Sequence, residues 1–322
     1  MDEFSLINAI SQHYYKQSSL LKGIGDDAAV FRQTVKDIVT SVDTFVEGVH
    51  FSKQTMSPFY IGYRSLAANI SDVAAMGASP AMYLVSIVIP TTWKENDIRD
   101  IFKGMHQLAN CYGLDLVGGD TVSGENLVIS VTVIGYVPKG KARYRHSAKR
   151  GDIVFVTGTL GDSQAGLHLL LTDKHVKDKD FFIKRHQMPQ PKIDFAKGIQ
   201  SLARVTLNDI SDGLANEAIE IAEASQVNIT LIDQYIPFSD ALSQFSSSLR
   251  RKWVYYGGED FELLGTVAPR DWNHVKSIAK KTGTSITQIG YVEKQSTCVG
   301  QVFLKTNQQK WRLYKEGYIH LK

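Results

Sequence analysis

The chain has 322 residues, more than the roughly 250–300 at which a single core stops growing, so two domains are expected. Its composition, 43% apolar, 10% aromatic and 21% charged, excludes a disordered, collagen-like or coiled-coil protein. A net charge of +3 is too small a surplus for a general nucleic-acid binder, so no nucleic-acid partner is expected.

In chain order, residues 37–42 read as a strand. Residues 58–76 follow as a helix, with apolar side chains at helical spacing and Gly77 placed to close it. Residues 81–89 predict a strand, 96–111 a helix stopped near Gly113, and 114–117 and 127–137 two more strands, an order of β-α-β-α-β-β. From Lys139 to Arg150 the periodicity stops and six of twelve residues are Lys or Arg. We read a boundary here, with residues 1–138 as one domain and 139–322 as the other. Beyond it come a strand at 152–157, a glycine-rich turn and a helix at 165–171. Further strands are expected at 205–207, 227–232, 261–267 and 286–292, with a helix at 214–224. Such alternation predicts an α/β (α+β) protein rather than a sandwich or a bundle.

Cys111 and Cys298 lie far apart and in no metal-binding spacing, so neither a disulfide framework nor a zinc site is expected and a cytoplasmic location fits. The N-terminus has no basic leader, and the longest apolar stretch, 81–90, is half what a membrane helix needs, so no membrane association is expected.

Acidic residues recur with glycine and small polar residues in six places: Gly23 to Asp27, Ser41 to Thr44, Ser71-Asp72, Gly118 to Thr121, Asp209 to Gly213 and Gly257 to Asp260. Each alone suits a turn or a helix cap, and Ser211-Asp212 before Leu214 fits a cap. Several, however, close strands, where open α/β sheets place ligands, Gly118 to Thr121 among them. Asp72, read as an interruption of a mostly apolar helix, is costly to bury without a partner. Oxygen donors in this number suit Mg²⁺ shared with a substrate phosphate. The turn Thr157 to Ser163 is placed either to cradle a phosphate with its backbone N–H groups or to act as a plain tight turn. No GxxxxGK[ST] is present, nor the motif set of a protein kinase, nor HExxH.

Taken together, GIGDDAAV (23–30), SVDTFVEGVHF (41–51), NISDVAAMGASP (69–80), VGGDT (117–121), VTGTLGDSQAGL (156–167), DISDGL (209–214) and GGEDFEL (257–263) resemble the thiamine-monophosphate kinases. That family belongs to a superfamily that includes aminoimidazole-ribotide synthetase and the selenophosphate synthetases. The resemblance spans nearly the whole chain. It implies a ferredoxin-like N-terminal half that binds ATP and Mg²⁺ and pairs with its twin in a homodimer through its sheet, and a C-terminal α/β layered domain.

It also implies ATP-dependent phosphorylation of thiamine monophosphate to thiamine diphosphate. Several Mg²⁺ ions are implied at Asp27, Ser41, Val42, Asp43, Asp72, Asp120, Asp209 and Asp212. Val42 stands where many relatives carry Thr, so a contact there must come from its carbonyl. Gly119, Asp120, Arg145 and Ser211 match nucleotide-contacting positions, and His50, Glu259 and Tyr318 match positions that face the thiamine phosphate. Asp72, Asp120 and Arg145 are the implied catalytic set. Two other functions use the same carboxylates: another ATP-dependent synthetase of the superfamily, against which GGEDFEL and the lack of an N-terminal catalytic Cys argue, and a non-catalytic divalent-cation-binding protein.

Overall fold

A computed structural model describes residues 20–22, 29–32, 36–172, 174–293 and 299–316. The sequence-derived candidates Asp27 and Tyr318 lie outside the described residues.

The N-terminal half is a sheet in the order β1-β2-β3-β6-β4-β5. Its strands are β1 (Leu20–Lys22), β2 (Ala29–Arg32), β3 (Lys36–Val46), β4 (Ser79–Ile89), β5 (Asp115–Ser123) and β6 (Val128–Pro138). Helices α1 (Pro58–Ala75) and α2 (Glu95–Tyr112) connect β3 to β4 and β4 to β5, which is the expected β-α-β-α-β-β order. Val85, Ile87, Ile129, Val131 and Val133 are buried on one face together with Ile61, Leu66, Ile70 and Val73 of α1. The two-residue period of each strand puts the intervening residues on the opposite face. There Val42, 62% exposed, Thr44, Ser86 and Val122 stand open.

The second sheet has the order β13-β12-β9-β11-β7-β10-β8. Its strands are β7 (Ile153–Thr157), β8 (Val205–Asp209), β9 (Ile229–Ile232), β10 (Leu263–Val267), β11 (Ile286–Val292), β12 (Val302–Lys305) and β13 (Lys310–Leu313). Around it lie α3 (Asp162–Thr172), α4 (Lys179–Gln187), α5 (Ile193–Gly198), α6 (Leu214–Ser225), α7 (Ser247–Tyr256) and α8 (Trp272–Lys281). One face of this sheet, with Phe155, Leu207 and Leu263, joins the core of the N-terminal half through Phe195 and Ile278. The other, with Val154, Val156 and Leu264, packs on Leu169, Ala218 and Trp253.

Three readings change. Ser41 to Thr44 does not close a strand but lies inside β3, which runs on to Val46. Gly118 to Thr121 does not close a strand but lies inside β5, which is exposed along its whole length as the sheet edge. Glycine is required at 119 because a Cβ there would stand 1.9 Å from the Val85 carbonyl oxygen. Ser71-Asp72 does not interrupt α1, which runs unbroken to Ala75. The basic stretch is ordered by polar contacts: the buried Arg143 donates to the carbonyls of Ile199 and Leu202, at 2.8 and 2.9 Å.

Candidate active site

A cavity of about 1000 Å³ opens where the ends of β3, α1 and β8 meet the 211–213 and 257–261 loops. Asp43, Asp72, Asp209, Ser211 and Asp212 line it together with His50, Gln164, Trp253, Tyr256 and Glu259.

The end of α1 brings the carboxylates together. Adjacent residues on a helix point about 100° apart, so Asp72 and Ser71 reach different partners. Asp72 accepts a hydrogen bond from Ser41 on β3, and Ser71 donates to Asp209 at the end of β8 at 2.8 Å. Ser41 is also 3.3 Å from the side-chain oxygen of Asn69. One helical turn thus spans both halves of the chain. Burial pushes the Asp209 carboxyl up to about 6, more than the Ser71 hydroxyl and the Arg145 guanidinium lower it; Asp43 and Asp212 push it further up.

Asp212 is not a helix cap. The capping position of α6 is Gly213, with no side-chain hydrogen bond. Glu217 reaches back from within the helix instead and accepts the Asp212 N–H at 3.0 Å. Glu217 also accepts from Asn208 at 2.6 Å. Asn208 in turn accepts from Arg145 Nε at 3.0 Å, while Glu220 pairs with the same guanidinium at 3.1 Å. Glu217, Asn208 and Glu220 were missed by sequence reasoning, since acidic residues inside a helix ordinarily mark its solvent face. Glu217 is buried beside Glu220, Asp212 and Asp209, and burial raises its carboxyl well above the usual range.

The turn at 157–163 is no phosphate cradle. Four of its amides are already used: Gly158 donates to Ser285, Leu160 to Pro237, and Gly161 and Ser163 to the buried carboxyl group of Asp260. The chain thus supplies its own carboxyl oxygens to the amides at the start of α3. Burial raises the Asp260 carboxyl to about 7, more than Arg185 and the two amides lower it. The folded protein therefore holds a proton here that an ordinary unfolded carboxyl, near ~4, has released. This group's contribution to stability falls as pH rises from about 4 to about 7. Urea unfolding at pH 5 and pH 7.5 is expected to show a larger loss of stability at the higher pH in the parent protein than in Asp260→Asn. Equal losses would contradict it.

Glu259 and His50 face the cavity from opposite sides in sequence. The 257–262 segment lies against 210–211 through hydrogen bonds from Ile210 to Glu262, Phe261 to Ile210 and Glu259 to Ser211. Gly258 permits this approach, because a Cβ there would stand 2.0 Å from the Ser211 carbonyl oxygen. Glu259 itself is in the left-handed region, at φ 68°, and pairs with the buried Arg64. His50 Nδ1 accepts the Val46 N–H at 3.0 Å, so in the neutral ring the proton is on Nε2.

Asp120 and Gly119 are not brought into this cavity within one chain. Strand register sets Asp120 opposite Ser86, Ser86 opposite Ser130 and Ser130 opposite Thr44, on the open face of the sheet. Asp43 belongs to the opposite face. Three strand spacings separate β3 from β5, on the order of 14 Å. Val42 is likewise on the open face by its side chain, though it borders the cavity.

Among the described residues, no three His, Cys, Asp or Glu side chains gather closely enough to enclose a metal ion. The cavity offers instead neighbouring carboxylates, of which Asp43 and Asp212 raise the proton affinity of Asp209. Such a donor set, all oxygen and short of positive charge, fits Mg²⁺ shared with phosphates rather than a closed protein cage.

The family described as AIR synthase related protein matches in both parts, its N-terminal domain over residues 25–137 and its C-terminal domain over 149–302. A thiamine-monophosphate kinase of Bacillus subtilis is 45% identical over 100% of both chains. The chain belongs to the thiamine-monophosphate kinase family. A solved member described as AaThiL complexed with AMPPCP and TMP is 31% identical, with a TM-score of 0.83 over 99% of this chain and 97% of that one. A thiamine-monophosphate kinase structure from Aquifex aeolicus is also 31% identical, with a TM-score of 0.76 over 90% and 93%. The family's two-part α/β architecture is that of this chain.

Proposed function

We propose that this protein transfers the γ-phosphoryl group of ATP to thiamine monophosphate, giving thiamine diphosphate and ADP. The observation that carries this reading is a single cavity lined by the carboxylates Asp43, Asp72, Asp209 and Asp212 together with His50 and Glu259. The relative solved with AMPPCP and TMP supports it. Incubation with MgATP and thiamine monophosphate, with both products separated by chromatography, is expected to yield ADP and thiamine diphosphate in equal amounts. ADP release without a phosphorylated thiamine product would overturn the reading.

The acceptor is a phosphate monoester with a second pKa near ~6, so it arrives ionised and needs no general base. Its oxygen attacks the γ-phosphorus in line as the bond to the β-γ bridging oxygen breaks and ADP departs. Ser41, Asp43, Asp72, Asp209, Asp212 and the Val42 carbonyl would hold Mg²⁺, with Asp27 a further ligand proposed from the sequence. Mg²⁺ bound there offsets the repulsion between two polyanions and orients both phosphates. Arg145 and Ser211 are assigned to the nucleotide, and His50, Glu259 and Tyr318 to the acceptor. His50 Nε2–H is a hydrogen-bond donor for the acceptor phosphate.

Arg145 is held by Asn208 and Glu220, which orients its guanidinium fork. Arg145→Ala is expected to raise the KM for ATP at least about ten-fold and that for thiamine monophosphate less than about two-fold, the scale of a charge-assisted contact. Steady-state kinetics with each substrate varied checks this; a selective rise for the acceptor would reverse the assignment.

We also assign the protein as a homodimer that pairs through the open face of its first sheet, where Val42, Thr44 and Val122 are exposed. Asp120 lies on this same face, so the assignment of Gly119 and Asp120 to a nucleotide rests on this interface. A monomeric mass in light scattering at micromolar concentration would exclude it. The two family matches, 25–137 and 149–302, support a division into residues 1–138 and 139–322. No helix among the described residues is long and apolar enough to cross a membrane, and we place the protein in the cytoplasm.

A further inference from the structure

Arg64 is the largest fully buried side chain of the described residues. It sits on α1 about two helical turns before Asp72 and points into the seam between the two halves. Its guanidinium pairs with Glu259, donates to the carbonyl of His186, and lies 3.0 Å from His186 Nδ1. It also stands 5.8 Å from the centre of the Phe261 ring. Burial lowers its pKa to about 9, which leaves it cationic at neutral pH.

The loop it grips is strained. Glu259 and Phe261 occupy the left-handed region at φ 68° and 50°, a conformation that is disfavoured for residues other than glycine. Such backbone persists only where its surroundings over-determine it. Arg64 contacts both strained residues, one through its carboxylate and the other through its ring face. His186, 1% exposed and 3.2 Å from Ser163 Oγ, braces the guanidinium from α4. Burial and the adjacent Arg64 hold the imidazole pKa well below its ordinary value, so a neutral ring backs the ion pair.

We infer that Arg64 is a positioning residue for the acceptor: it takes one carboxylate oxygen of Glu259, leaves the other to the cavity, and fixes the backbone that presents it. The pairing also cancels the net charge of Glu259. A cationic heterocycle therefore meets an oriented oxygen rather than an unpaired anion, and recognition depends on direction more than on charge. This rests on the assignment of Glu259 to the acceptor.

Steady-state kinetics of Arg64→Met, Arg64→Lys, Glu259→Gln and the Arg64→Met/Glu259→Gln double variant test the inference. Arg64→Met is expected to raise the KM for thiamine monophosphate at least ten-fold, with the KM for ATP and kcat within three-fold of the parent. Arg64→Lys, which keeps the buried charge but not the planar fork, is expected to raise the same KM three- to ten-fold; it carries the test if the Met variant does not fold. In the Glu259→Gln background, Arg64→Met is expected to add less than two-fold. Equal changes in both KM values and kcat, or effects that multiply in the double variant, would overturn the positioning role. If Glu259→Gln leaves the KM for thiamine monophosphate unchanged, the acceptor assignment itself fails, and that result is distinct from one in which Glu259→Gln has its effect and the Arg64 variants do not.

Discussion

Replacing Asp72 by Asn is expected to lower kcat at least about a thousand-fold, on the order of 4 kcal/mol of transition-state stabilisation, with a melting temperature within about 2 °C of the parent. The carboxylate lines the cavity from the last turns of α1 and accepts the Ser41 hydroxyl. An amide oxygen can still accept that hydrogen bond, so the fold loses little, while the charge that helps bring two polyanionic substrates together is gone. Turnover assays at saturating Mg²⁺, paired with thermal melts, check both parts. Near-normal turnover would remove Asp72 from the site, and a large drop in melting temperature with turnover retained would make its role structural.

Gly258→Ala is the second large effect expected. A methyl group at this position would stand 2.0 Å from the Ser211 carbonyl oxygen, and both segments are backbone fixed by their own hydrogen bonds. Relief requires the 257–261 loop to move off 210–212, which displaces Glu259 from one wall of the cavity and Ser211 from the other. Overpacking of this kind costs about 3 kcal/mol, or roughly 4 °C in melting temperature for a chain of this size. The value of kcat/KM for thiamine monophosphate is expected to fall at least about a hundred-fold. A variant with parental stability and kinetics would show that the loops are not held together as described.

Much of the carboxylate site is legible in the sequence, because its parts are short motifs at strand and helix ends, where local turn chemistry and ligand chemistry coincide. DISDGL and GGEDFEL are adjacent in space for a readable reason: both abut paired strands, β8 and β10, whose register sets Asp209 opposite Leu263. Asp120 was harder. Its motif was visible, but glycines inside an edge strand read as a turn, and its face depends on irregularities in the β4 pairings near Pro80 and Tyr83 that carry no sequence signal. The supporting polar residues were not legible at all. Arg64, Glu217 and His186 are polar residues on helices, and a polar helical residue is ordinarily solvated. Only the packing of α1 against α4 of the second half turns Arg64 and His186 inward. The loop at 157–163 shows the converse case, since a phosphate-cradle pattern is satisfied by the protein's own Asp260.

On the proposed reading the cavity serves an acceptor that is already ionised, so its chemistry needs charge compensation and no base. The described histidines of the cavity agree with it. His50 accepts a backbone N–H at Nδ1 and so carries its proton on the other nitrogen, and His186 Nδ1 lies within hydrogen-bonding distance of Arg64 and Ser163. An alcohol, by contrast, would need a positioned base to lose its proton. The most direct measurement is the initial rate of phosphorylation by MgATP of thiamine monophosphate and of free thiamine at equal concentration. A rate at least about a thousand-fold higher with the monophosphate is expected, within the range that loss of both proton-transfer catalysis and phosphate binding commands. Comparable rates on the two acceptors would contradict the base-free mechanism and the placement of the acceptor phosphate in this cavity.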